Sequence, residues 1–386
     1  MTNMYQLQHI DPARFLREYW QKKPLLIRGG FNNFEDPLDE HDLAGLAMEE
    51  DIDARVVSQQ DGQWQVEQGP FASFDEVCKG QWSLLVQNVD GYIDEASLLL
   101  SAFDFIPRWR VDDLMVSFSV PGAGVGPHLD QYDVFIIQGK GTRRWQVGEK
   151  GEHAPQLPHP KLSQVAMFEP IIDAELQCGD ILYIPPGFPH CGVALTDCLN
   201  YSVGFRAPDQ KALLSDFADF ALIQSEHFNQ RYADPELASR EFAGEILPAE
   251  IDAVRQMMKS ALDSPLFDQW LASYMSFAND TVALPTPLLT ETQVKDYLLD
   301  GQPVFRSLDV KAIWRNLSDS QVMLHLGDSL YPASVDILPV LEPLLSAPGW
   351  FYAGELTDAE LDEITALLTQ WLNRGYWRCD LQDVDD

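Results

Sequence analysis

Residues 117–145 read SFSVPGAGVGPHLDQYDVFIIQGKGTRRW, and residues 179–190 read GDILYIPPGFPH. Both stretches alternate short apolar runs with Gly and Pro turns, and each run has the length of a strand. The same texture extends outward through KPLLIRGGF (23–31), WSLLVQNV (82–89), DLMVSFSVPG (113–122) and RRWQVGE (143–149). From Trp20 to about Pro208 the chain therefore reads as a β-sandwich or barrel. One helix should interrupt it near 39–50, where Leu43, Leu46 and Ala47 fall at helical spacing.

The same stretches carry chemistry. In an extended chain, residues two apart point to one face, so His128 and Asp130 can reach one metal together. Sixty residues on, His190 follows an apolar strand and a Pro-Gly turn, which suits a ligand delivered from a neighbouring strand. An HxD pair alone is weak, and a lone His is usually structural. Two imidazoles and one carboxylate converging in an all-β region are specific. They leave three coordination positions open, as in the facial triad of non-haem Fe(II) oxygenases, whereas zinc prefers four ligands and often sulfur.

Oxygenases of that kind that use 2-oxoglutarate must hold its distal carboxylate, ideally with a buried arginine making two parallel bonds. Arg143 and Arg144 open the strand RRWQVGE, so one should point inward and one to solvent. Arg143 is expected inside, sharing a face with Trp145. Ser117 and Asn200 are short polar groups within apolar strands and need partners if buried. A bound carboxylate or ordinary cross-strand hydrogen bonding would serve equally. A substrate side chain brought to the metal needs polar groups on the wall to hold it. Asp113 lies four residues before Ser117 and Tyr132 two after Asp130, so both share faces with site residues, and Ser202 is a third candidate.

Composition bounds the rest. Of 386 residues, 46% are hydrophobic, with 10 Trp and 20 Phe, ample for a core and for two or three domains. The balance of 60 Asp plus Glu against 26 Lys plus Arg gives a net charge of −34. Such a field repels nucleic acid and anionic membranes and attracts basic partners, although acidity also simply aids solubility. Cys78, Cys178, Cys191, Cys198 and Cys379 form no CxxC pair, which points to reduced thiols. The N-terminus has no signal-peptide pattern and no apolar run is long enough to span a membrane, so a cytoplasmic protein is expected.

After Arg206-Ala-Pro the period changes. Leu213, Leu214, Phe217, Phe220 and Ala221, then Ile246, Ile251, Val254, Met257 and Met258, recur at three and four. Residues 209–277 are expected to be helical, with an apolar face for packing or dimerisation. Residues 278–287 (ANDTVALPTP) read as a linker. Within 288–386, Thr357-Asp-Ala-Glu360 has the form of a capping box opening a helix with Leu361, Ile364, Leu367, Leu368 and Trp371, stopped by Gly375. A small winged-helix-like α+β module fits. Its acidity (Asp358, Glu360, Asp362, Glu363 and the 380–386 tail) argues against a role on DNA.

The sequence resembles the JmjC-domain oxygenases of the cupin superfamily, and is most similar to the bacterial ribosomal oxygenases that hydroxylate an arginine of large-subunit ribosomal protein L-sixteen. The resemblance is carried by Tyr19-Trp20-Gln21-Lys22-Lys23-Pro24, by 117–145 and by GDILYIPPGFPHCGVALTDCLNYSVGFRAP (179–208). It implies a double-stranded β-helix over 1–208, a helical dimerisation region at 209–277 and a winged-helix-like domain at 288–386. It implies Fe(II) on His128, Asp130 and His190, and 2-oxoglutarate against Ser117, Arg143 and Asn200. Hydroxylation of an arginine β-carbon in a basic ribosomal protein, with release of succinate and CO2, is likewise implied by the family and not by the spacing. A JmjC enzyme of other residue specificity, or a metal-binding cupin without oxygenase activity, remains compatible with the residues alone.

Overall fold

The structure is a computed structural model and describes residues 5–276, 287–307, 310–327, 329–346, 354 and 356–379. The expected linker 278–287 lies outside the described residues except for Pro287. The strands up to residue 208 are β1 (Leu25–Ile27), β2 (Ala54–Gln60), β3 (Gln63–Gln68), β4 (Gln81–Val86), β5 (Val111–Ser119), β6 (Asp133–Gln138), β7 (Arg143–Gly148), β8 (Pro155–His159), β9 (Leu162–Val165), β10 (Pro170–Leu176), β11 (Ile181–Ile184), β12 (His190–Ala194) and β13 (Cys198–Phe205). Eight of them form one sheet in the order β1-β11-β6-β13-β5-β4-β2-β3, and β10-β7-β12 form a second. The β8–β9 pair stands as its own hairpin.

Unbroken apolar runs become the central strands because they are covered on both faces. β6 and β11 are buried at every position. Alternate residues of β6 serve different sides of the sheet. Phe135 and Ile137 join a core with Phe15, Phe103, Tyr183 and Phe205. Val134 and Ile136 instead pack with Trp145, Val147, Leu182 and Ile184. Trp145 and Val147 belong to β7 of the smaller sheet, so this second core lies between the two sheets, and the cavity described below opens from it. On the other side, the rings of Phe103 and Phe135 lie 4.7 Å apart and those of Phe135 and Tyr183 4.8 Å apart. Each such buried ring contributes about 2–3 kcal/mol of transfer free energy.

Three helices accompany these strands: α1 (Pro12–Glu18), α2 (Glu40–Leu46) and α3 (Asp94–Leu100). α2 starts at a reciprocal capping box between Asp39 and Asp42, which fixes its first turn. The YWQKKP segment follows α1 and docks it onto the sheet. Trp20 stacks on Tyr183, and Gln21 donates to buried Asp133, which also accepts from the Tyr183 hydroxyl at 2.6 Å.

The chain divides into two compact units. The first comprises Met1–Ala207, Asp280–Asp309 and Ile337–Asp386; the second comprises Pro208–Asn279 and Val310–Asp336. Residues 288–386, expected as one module, are therefore shared between the units. The second unit holds α4 (Gln210–Ile223), α5 (Pro248–Leu262), α6 (Pro265–Met275) and an antiparallel sheet β15-β16-β17 (Ile313–Asn316, Gln321–Leu326, Ser329–Ser334). Trp270 centres its core against Phe217 and Phe267 and donates its indole N–H to Asp216. The first unit also holds α7 (Glu291–Leu299), α8 (Leu338–Ser346), α9 (Asp358–Asn373) and the short pair β14 (Phe305–Arg306) and β18 (Trp377–Arg378). α9 begins at the expected Thr357–Glu360 capping box and buries Leu361, Ile364, Leu367, Leu368 and Trp371.

Candidate active site

The positively twisted backbone of Gly126 (φ +77°) turns the chain out of β5's exit loop toward His128. A Cβ there would strike the amide of buried Gln164, which donates to the Val125 carbonyl at 2.8 Å. His128 does not sit in a continuous strand with Asp130, as spacing alone predicted. It forms an isolated antiparallel bridge with His190, each backbone N–H donating to the other's carbonyl at 2.9 Å. Asp130 follows in irregular extended chain, its carbonyl accepting from Gly187 N–H in the Pro-Gly turn that leads to His190. The bridge, not a shared strand, brings the ligands together.

The result is a compact donor set. Ligand atoms of His128, Asp130 and His190 all lie within 4.8 Å of one another, and His190 Nε2 is 3.4 Å from Asp130 Oδ2. Each histidine has its Nδ1 at 3.0 Å from the carbonyl two residues upstream, Gly126 for His128 and Phe188 for His190. A neutral imidazole that donates from Nδ1 presents a lone pair at Nε2, so both rings face inward as acceptors. Burial, reinforced by the neighbouring His190, pushes the His128 pKa down to about 4, which keeps the ring neutral at pH 7. Burial alone would raise the Asp130 carboxyl. The adjacent His190 and His128 rings and the Tyr132 hydroxyl outweigh that, and hold it below the usual carboxylate range.

Beside this cluster lies a cavity of about 340 Å³ lined by residues from both sheets. Ser117, Asn200, Arg143, Asp113, Tyr132 and Ser202 all line it, as do the three candidate ligands. Arg143 is 4% exposed, while Arg144 turns outward into a two-bonded ion pair with Asp173. The Arg143 guanidinium donates to Ser119 Oγ (3.2 Å), Asn200 Oδ1 (3.1 Å) and the Gly192 carbonyl (3.2 Å). All three acceptors are neutral. Burial lowers its pKa, and the groups whose charge acts on it are the Cys198 and Cys191 thiols, with no carboxylate among them. Among the described residues its Nε and the Trp145 indole N–H have no partner. A buried cation without an anion is costly, so a site of this form is built for an anionic ligand.

Ser119, Gln138 and Gly192 escaped the sequence reading. Gln138 accepts from Asn200 Nδ2 at 2.9 Å and thereby fixes which end of the Asn200 amide faces Arg143. Ser119 carried a signal, since it alternates with Ser117 on one face of β5. Gln138 and Gly192 could not be found, because their roles depend on the register of β13 against β6 and of β12 against β7. At Gly192 a Cβ would lie 2.8 Å from both Arg143 Nε and the Trp145 ring, so the glycine lets these two side chains pack against the strand. Asp113 accepts from Asn88 N–H at 3.1 Å, and Tyr132 stands at the rim, 42% exposed.

The JmjC domain family matches residues 98–213, which include every candidate ligand. Over 371 residues the chain is 45% identical to the ribosomal protein uL16 3-hydroxylase of Escherichia coli (strain K12), covering 94% of this chain and 96% of that protein. It is 35% identical over 315 residues to a probable ribosomal oxygenase of Haemophilus influenzae, covering 78% of each. Among solved structures, YcfD, a ribosomal oxygenase from Escherichia coli in complex with cobalt and 2-oxoglutarate, matches with a TM-score of 0.85 at 43% identity, over 97% of this chain and 99% of that one.

Proposed function

Because this chain belongs to the JmjC-domain ribosomal oxygenases, the family of the ribosomal protein uL16 3-hydroxylase, we propose that it hydroxylates an arginine of a basic large-subunit ribosomal protein at the β-carbon. It is an Fe(II)- and 2-oxoglutarate-dependent dioxygenase. We assign the iron to His128, Asp130 and His190, and the co-substrate to Arg143, Asn200 and Ser117. The observation that carries this reading is the buried Arg143 without an anion beside a two-histidine, one-carboxylate cluster. The donor set suits Fe(II) because three ligands on one side leave room for a chelating keto acid and oxygen. The unpartnered Arg143 Nε and Trp145 N–H suit a carboxylate-bearing guest.

Bound iron and 2-oxoglutarate supply the oxidising power, as the co-substrate is decarboxylated to succinate and CO2. The chain's own residues position the reactants. Arg143, oriented by Asn200 and Ser119, grips the distal carboxylate. Gln138 holds the Asn200 amide in the orientation that accepts from Arg143. Val134, Ile136 and Trp145 make the inner wall apolar and keep water out. Asp113, Tyr132 and Ser202 hold the substrate guanidinium, the carboxylate by charge and the hydroxyls by hydrogen bonds.

The same proposal extends to the rest of the chain. We read 209–277 as a dimerisation region, since Ile251, Val254, Met258 and Leu262 run along α5 and all are exposed. We read 288–386 as winged-helix-like on element content alone, α7, α8 and α9 belonging to the first unit and the antiparallel sheet β15-β16-β17 to the second. Among the described residues no helix is long and apolar enough to cross a membrane, and we propose a cytoplasmic enzyme. The test is incubation with ribosomal proteins, Fe(II), 2-oxoglutarate and oxygen, followed by intact-mass analysis. One basic protein should gain one oxygen atom with matching succinate; no succinate above the metal-free control refutes the reading.

A further inference from the structure

The cavity wall carries a second guanidinium that the assignment above leaves unused. Arg55 lies on β2, and the sheet register places it in one row with the co-substrate residues. Arg55 is opposite Leu85, Leu85 opposite Ser117, and Ser117 opposite Asn200. All four side chains line the cavity. Two strand spacings, about 10 Å, separate the Arg55 backbone from that of Ser117. Arg55 thus stands across the cavity from the end that Arg143 occupies with Asn200 and Ser119.

Among the described residues the Arg55 guanidinium has no internal partner. Its Nε is buried with no hydrogen-bond acceptor, and among the described residues Arg55 forms no ion pair. In a chain with 60 acidic and 26 basic residues, a cation left unpaired in a cavity wall is unexpected unless a ligand completes it. Lys161, the other cation at this rim, is exposed to solvent. The neighbours of Arg55 identify which ligand it meets. Asp113, Tyr132 and Asp130 line the same cavity as Arg55. Arg55 therefore faces the substrate side, where a polypeptide must lie if one of its side chains is to reach the metal.

We propose that Arg55 donates hydrogen bonds to a main-chain carbonyl of the bound polypeptide, next to the residue being oxidised. This rests on the reading of the protein as a polypeptide hydroxylase. The alternatives fail on chemistry. A cationic target side chain would be repelled by Arg55, so Arg55 must meet the backbone while the side chain passes on to Asp113. Both carboxylates of 2-oxoglutarate are already accounted for, one at the metal and one at Arg143. A basic substrate is poor in carboxylates, whereas every residue presents a carbonyl. A fixed guanidinium at that point would hold the chain in register and aim the target side chain inward.

The experiment compares the wild-type full-length enzyme with R55A and R55K, using a basic peptide and two analogues in which an amide flanking the target residue is replaced by an ester, a weaker acceptor. R55A should raise the peptide KM roughly 10- to 100-fold, as expected for a lost charge-assisted bond. The KM for 2-oxoglutarate and the slow succinate formation without peptide should stay at wild-type levels, which also reports an intact fold. R55K should recover part of the loss. One ester should weaken the wild-type enzyme several-fold and leave R55A unaffected. A rise in the 2-oxoglutarate KM instead, or an ester penalty that persists unchanged in R55A, overturns the proposal alone. Absence of peptide oxidation by the wild-type enzyme sinks the hydroxylase reading together with it.

Discussion

At His128 and His190 the backbone sets the chemistry of the side chain. Each Nδ1 is engaged by a carbonyl two residues upstream, so Nε2 is the free nitrogen on both rings. For His128 this has a pH consequence with a definite sign. Its folded pKa of about 4 lies below the ordinary 6.5, so between those values the unfolded chain binds more protons than the folded one. The metal-free protein should lose stability as pH falls from 6.5 toward 4. Thermal unfolding of metal-free H128Q should show a shallower decline over that window than wild type; identical slopes would remove His128 as the cause. At Arg143, R143A should raise the 2-oxoglutarate KM roughly 30-fold, from about 2 kcal/mol of lost charge-assisted bonding, and leave Co(II) affinity within a few-fold. Kinetics with isothermal titration checks both.

Among the elements, Val134 to Ile137 and Ile181 to Ile184 were readable as strands because burial on both faces makes each a short, unbroken apolar run. The inward turn of Arg143 and the outward turn of Arg144 were readable for a related reason, since adjacent residues of a strand face opposite ways. β2 and β3 were not seen, because ARVVSQQ and QWQVEQ are polar at alternate or exposed positions and carry a weak signal. The geometry at Asp130 was also out of reach. Its approach depends on a bridge between residues 128 and 190, a long-range contact that no local period encodes. G192A on β12 should push Arg143 and Trp145 apart, raise the 2-oxoglutarate KM by an order of magnitude and lower Tm by several degrees. Unchanged kinetics would mean that the pocket relaxes around the added methyl.

For the whole molecule, charge and shape make separate claims. A net charge of −34 should draw a basic polypeptide toward the cavity, so the substrate KM should rise steeply with salt while the 2-oxoglutarate KM moves little. If α5 is a dimer surface, V254E with M258E should convert the protein from dimer to monomer in light-scattering chromatography; an unaltered dimer would direct attention to another surface. We propose that three side chains, held together by the His128–His190 bridge, carry the iron that performs the oxidation. The most direct measurement is succinate formed per oxidised substrate by D130A compared with wild type, with Fe(II), oxygen and 2-oxoglutarate saturating and folding verified by circular dichroism. Wild type should give a ratio near one, and D130A should give neither product. Substrate oxidation by a folded D130A at a rate close to wild type would rule out Asp130 as an iron ligand.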